Sequence, residues 1–158
     1  MVAPQLAKLS PKERYEIADG LEHSNGIVIK HVAANSAQFE PDRDIIQMPY
    51  MEQFESSERY YATLFHEMVH WTGHEKRLKR AFGKRSTEEY AFEELVAELG
   101  SAFLCAHFQI PASLTSSSAY IVSWLKALQN NKSYVLKAVG YAERAMNYLL
   151  QKELANTT

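Results

Sequence analysis

Residues 64–78 read LFHEMVHWTGHEKRL, with His66, Glu67, His70, His74 and Glu75 falling within ten positions. On a helix His66 and His70 stand four apart and share one face, so both imidazoles can reach a single cation. Glu67 is the next residue round and can sit beside that cation without binding it. Two neutral imidazoles suit Zn²⁺, and a carboxylate so placed can take a proton from a metal-bound water whose pKa the ion has lowered. The spacing therefore predicts metal-assisted hydrolysis, with His66 and His70 as ligands, Glu67 as catalytic base and one zinc per chain.

HExxH is a short pattern, and histidines on a helix more often belong to a surface or a core than to a metal. Two neighbours favour the metal. An apolar stripe of Tyr61, Leu64, Phe65, Met68 and Trp71 lies roughly opposite the two histidines and sends them toward another element or a cleft. Gly73 is placed to end the helix soon after His70. His74 is a poor third ligand, because along a continuing helix it lies about 12 Å from His66 at 1.5 Å per residue. The longer pattern HExxHxxGxxH requires histidine at position 76, where this chain has Lys76.

A better source of the third ligand is STEEYAFEELVAELGSAFLCAHF, residues 86–108, with five glutamates and neither lysine nor arginine. Glu88 and Glu89 suit the start of a helix, where acids meet the positive end of its dipole. Glu93, Glu94 and Glu98 lie beyond that influence. Phe92, Leu95, Val96, Leu99 and Phe103 form the apolar stripe, whereas Glu94 and Glu98 share a face with Tyr90, Ser101 and Cys105. Carboxylates four apart on such a face need a cation or a hydrogen-bond donor. Glu94 as metal ligand, with Glu98 orienting a ligand histidine from outside the coordination sphere, meets both needs. Glu93 is the alternative ligand.

The elements that must position these residues are legible in outline. Ser10-Pro11-Lys12-Glu13 reads as a capping box opening a helix over about 10–22. A small sheet follows over about 27–48: one strand from Ile27 to Val32, then SAQFEP and DIIQMP joined by a turn at Pro41-Asp42-Arg43-Asp44. The prolines at their ends predict exposed sheet edges. Helices are expected at about 57–73, 87–108, 118–130 and 132–153, the second opened by a capping box beginning at Ser86, with a small-residue loop at 111–119. Helix, small sheet and then helices describe an α+β chain, one domain over residues 1–158. Hydrophobic content of 46% and charged content of 23% are ordinary globular values and argue against disorder. A net charge of −2 opposes a protein that grips nucleic acid by its phosphates. One cysteine, Cys105, allows no internal disulfide and suits a reducing compartment. With no long apolar run and no signal peptide, a soluble cytoplasmic domain without a membrane partner is expected.

YYATLFHEMVHWTGHEKRLKR, EEYAFEELVAELGSAFLCAHFQI and AYIVSWLKALQNNKSYVLKAVGYAERAMNYLL together resemble the zincin-like metallopeptidase domain of ArdC-type antirestriction proteins and TraC-type plasmid primases, proteins of mobile elements. The resemblance runs from about Ile27 to Leu150. It implies a gluzincin-type site, in which His66 and His70 bind zinc, Glu67 is the base and a glutamate of EELVAE is the third ligand. It also implies a single-stranded-DNA-binding domain preceding the peptidase domain in the family. No counterpart of that domain is read in these residues, so no nucleic-acid partner is expected for them alone. Where the family has a tyrosine in the strand before the turn, this chain has Phe39.

Three functions compete. The first is a zinc peptidase acting on a peptide or protein substrate that adds to the sheet edge, with Tyr90, His74 and Tyr120 as candidates for stabilising the oxyanion. The second is a catalytically silent zinc-containing scaffold that binds a host protein. It would favour a closed four-ligand site over three protein ligands and an open position. The third is an accessory domain of a single-stranded-DNA-binding protein, its basic run being Lys76, Arg77, Lys79, Arg80, Lys84 and Arg85. Such a run is more often a solvated loop.

Overall fold

A computed structural model describes residues 10–111, 124–127 and 129–156. Helix α1 (Pro11–Asn25) opens on the capping box of Ser10 and Glu13. It runs a turn beyond the expected end, to Gly26, whose φ of 68° closes the helix and turns the chain into the sheet. Strands β1 (Val28–His31), β2 (Gln38–Glu40) and β3 (Ile45–Met48) form a sheet in the order β1-β3-β2. β2 and β3 pair antiparallel across the Pro41–Asp44 turn, with Phe39 opposite Ile46, while β1 pairs parallel with β3. β3 is thus the central strand, not the exposed edge that its flanking proline suggested. Pro49 lies just beyond the last paired residue and removes no ladder bond.

A short 3₁₀ turn (Met51–Gln53) leads to α2 (Ser57–Thr72), capped by Ser56. α3 (Glu88–His107) and α4 (Ser133–Asn156) complete the core. α3 is capped by Thr87, whose hydroxyl accepts from the Tyr90 N–H; Ser86 has φ 68° and lies outside the cap. Its backbone leaves Thr87 as the extended residue that a cap requires. Of the segment expected to be helical at 118–130, residues 124–127, 129 and 130 are helical; Tyr120 and most of the 111–119 loop lie outside the described residues.

α2 is buried almost all round, against β3 of the sheet on one side and α3 on the other. Phe65 stacks on Phe108 with ring centroids 5.6 Å apart. α4 lays Ala138, Ala142, Ala145 and Leu149, all fully buried, against the body of the molecule. Gly100 sets the α2–α3 approach, because a Cβ there would fall 2.6 Å from a methyl of Val69. The fold is mostly helical with a small sheet, and the HExxH helix is its central element.

Candidate metal centre

Neighbouring residues of α2 serve different walls of one cavity. His66 and His70 face α3, while Glu67 faces β2, where one carboxylate oxygen accepts the Phe39 N–H at 2.7 Å. From α3, Glu94 reaches the histidines: one of its oxygens lies 3.3 Å from His66 Nε2 and the other 3.1 Å from His70 Nε2. The two Nε2 atoms are 3.1 Å apart. For metal–ligand bonds of about 2.0–2.1 Å at tetrahedral angles, neighbouring ligand atoms fall about 3.3–3.4 Å apart. The three donors already stand at nearly that spacing, and the donor set fits a divalent ion.

The outer nitrogens explain why the inner ones are available. His66 Nδ1 lies 3.3 Å from Glu98 Oε1, and His70 Nδ1 lies 3.1 Å from Glu93 Oε1. An N–H on each Nδ1 donates to its carboxylate, which turns both Nε2 lone pairs inward. Two lone pairs and a carboxylate converging at hydrogen-bond distance call for positive charge. In the metal-free chain protons supply it. Burial pulls the His66 pKa down, but Glu94 and Glu98 outweigh it and push it up to about 10. Burial acts likewise on His70, and Glu93 and Glu94 push it up to about 9. Burial raises the Glu94 carboxyl, yet the two histidines hold it well below the usual carboxylate range.

The sequence-derived candidates sort by place. His66, Glu67, His70, Glu93, Glu94 and Tyr90 all line one cavity of about 800 Å³, bounded by residues 34–39, Pro41, Phe82 and Arg85. Glu93 stands behind His70, not at the centre, and is 2% exposed. His74 is committed elsewhere: Nε2 donates to the Pro41 carbonyl at 3.2 Å and Nδ1 accepts the Lys76 N–H at 3.1 Å. Its tie to the β2–β3 turn keeps it out of the cavity lining. Phe39 borders the cavity and packs against Phe82 and His74.

The basic run after α2 is not wholly a solvated loop. Arg77 forms an ion pair with Asp44, donates to the Trp71 carbonyl and covers the Trp71 ring at 3.7 Å. Arg80 is 4% exposed and grips Glu93 with two nitrogens, each at 2.9 Å. Neither role was legible in the spacing. The one sign was the imbalance itself, a cation-free acidic helix just after a basic run. Gly73 belongs to the same arrangement. Its φ is −79°, so conformation does not demand glycine, but a Cβ there would meet the Arg80 guanidinium at 2.8–2.9 Å.

A two-histidine, one-glutamate centre shared between a central helix and its neighbour, beside a small mixed sheet, defines a zincin-like domain. Residues 16–141 match the MPTase-PolyVal family of zincin-like metallopeptidases, and the chain belongs to that family. It is 38% identical over 154 residues to a DNA primase TraC of Escherichia coli, and 36% identical over 167 residues to a second. These alignments take in 94% and 99% of this chain but 11% and 16% of the primases. The fold is similar to crystal structures of the antirestriction protein ArdC from plasmid R388. The Mn(II)-bound form superposes with a TM-score of 0.79 at 38% identity over 87% of this chain, and the metal-free form with 0.76 at 40% identity over 94%. The chain spans 52% of the ArdC chain in each case. Among the described residues no helix is long and apolar enough to cross a membrane.

Proposed function

We propose that this chain is one catalytic domain, a zinc-dependent peptidase in which His66, His70 and Glu94 hold the ion and Glu67 is the catalytic base. The observation that carries this reading is the placement of Glu67 and the three donors on the wall of one cavity. Three protein donors with an open side suit hydrolysis; a closed four-ligand shell would suit a purely structural ion. A divalent ion held there supplies a Lewis acid and makes water a competent nucleophile near neutral pH. The chain's own residues do the rest. Phe39 N–H fixes one oxygen of Glu67, leaving the other to accept a proton from the attacking water and return it to the departing amine. β2 is a sheet edge bordering the cavity, so an extended peptide can lie along it. Tyr90 is the oxyanion candidate on the cavity wall.

In the longer proteins of this family the domain would act beside DNA-associated parts, as the TraC and ArdC resemblances suggest. The test is Glu67→Gln, nearly isosteric but with a very weakly basic amide. It should keep the ion while peptide hydrolysis falls by roughly 10²–10⁴ or more. Cleavage at the wild-type rate would rule out Glu67 as the base. A wild-type chain that takes up zinc yet cleaves nothing in a broad peptide library would favour a silent scaffold.

A further inference from the structure

His70 and Glu94 come from different helices, so their separation is not fixed by local geometry. One side chain touches what holds both. The Arg80 guanidinium donates from Nε to Glu93 Oε2 and from Nη2 to Glu93 Oε1, each at 2.9 Å. It also donates from Nη2 to the Val69 carbonyl at 2.6 Å and from Nη1 to Thr72 Oγ1 at 3.0 Å. Glu93 Oε1 in turn faces His70 Nδ1 at 3.1 Å. The same planar group therefore fixes the His70 ring through Glu93 and the helical turn carrying that ring through Val69 and Thr72. Glu93 also precedes Glu94 on α3, so the fork ties the two ligand-bearing helices together at the ligands. Gly73 leaves room for it. From these contacts we propose that Arg80 is a positioning residue for the metal centre, acting through Glu93 to set His70 relative to Glu94. A lysine cannot reproduce it, since one ammonium lacks the planar fork that meets the carboxylate twice while reaching Val69 and Thr72.

The inference rests on the metal-site reading above, and the experiment separates the two. Zinc affinity is measured by competition with a chromogenic chelator, and ligand geometry by the visible spectrum of the cobalt-substituted chain. The chains compared are wild type, R80M, R80K, E93Q and R80M/E93Q, with D44N as control. D44N removes the Arg77 pair in the same loop without touching the centre. R80M and E93Q should each lose about 10–100-fold in affinity and alter the cobalt band, as removal of a ligand's orienting partner does. The double variant should lose no more than the larger single loss, because both act on one contact. R80K should fold and remain weakened, and D44N should bind as wild type does. Should R80M not fold, R80K and E93Q carry the comparison. Wild-type affinity in R80K and R80M, or losses that multiply in the double variant, would overturn the positioning role alone. A wild-type chain that takes up no metal would overturn the centre and this inference with it.

Discussion

At the residue scale the proposed centre would set protons and a metal in competition for the same lone pairs. Because carboxylates raise the His66 and His70 pKa values to about 10 and about 9, both rings carry protons at neutral pH in the metal-free chain. Loading zinc must displace them. A weakly buffered titration at pH 7 should therefore release up to two protons per ion, and apparent affinity should climb with pH until the rings are neutral. No proton release would contradict the arrangement. The stability of the metal-free chain follows from the same shifts. A raised folded-state pKa contributes stability that is whole below the ordinary histidine value of 6.5 and is lost as pH rises through about 9 to 10. The metal-free melting temperature should accordingly fall across that window. A flat profile would show that the carboxylates do not hold the rings as described. His66→Ala and His70→Ala should each abolish uptake, since no neighbouring donor replaces either bond.

At the scale of elements, the site depends on how closely α2 and α3 approach. Gly100→Ala places a methyl 2.6 Å from Val69, too near to be absorbed by a rotamer change in a β-branched neighbour. It should cost about 1–3 kcal/mol, as overpacking does, and should weaken metal binding by parting the ligand helices. Thermal unfolding of the metal-free chain and chelator competition read the two effects separately. Wild-type values in both would mean that the helices do not meet at this glycine. Thr87→Ala makes a contrasting pair. It removes the side-chain cap of α3 at an exposed end, far from the crossing, and should cost about 0.5–2 kcal/mol with metal affinity kept. If affinity falls as steeply as for Gly100→Ala, the crossing is not what sets the ligands.

For the whole molecule, the ion would add a link between two helices already joined by packing and by the Arg80–Glu93 pair, so binding should appear as stability. Free zinc at a hundred times its dissociation constant should add about 2.7 kcal/mol to the folded state, read as a concentration-dependent rise in melting temperature. The charge distribution bears on DNA. The net charge is −2, and Arg77 and Arg80 are spent on Asp44 and Glu93. Lys76, Lys79, Lys84 and Arg85 remain exposed, too few for a strong phosphate footprint. Single-stranded DNA should bind these residues weakly at physiological salt; a nanomolar gel shift would reverse that expectation and point to those four side chains.

The sequence alone determined what depends on neighbours along the chain. A four-residue interval on a helix puts His66 and His70 on one face wherever that helix packs, with Glu67 one step round. Helix starts at Ser10 and near Thr87, and the turn at Pro41–Asp44, are likewise set by local hydrogen bonding and backbone preference. The α+β class was legible in the order of these elements, and the zincin-like fold through the family resemblance carried by the HExxH, EELVAE and SWLKAL segments. Tertiary structure decided whatever joins separate elements. β3 became the central strand because β1 pairs with it across the chain. Glu93 and Glu94 are adjacent in sequence, yet one stands behind His70 and the other in front of it, a difference of rotation about α3 that only its packing on α2 fixes. Arg80 was read as part of a solvated run because its sign is visible in sequence and its partner is not. Burial against Glu93 makes that charge structural, since a buried carboxylate is tolerated only with its donors in place.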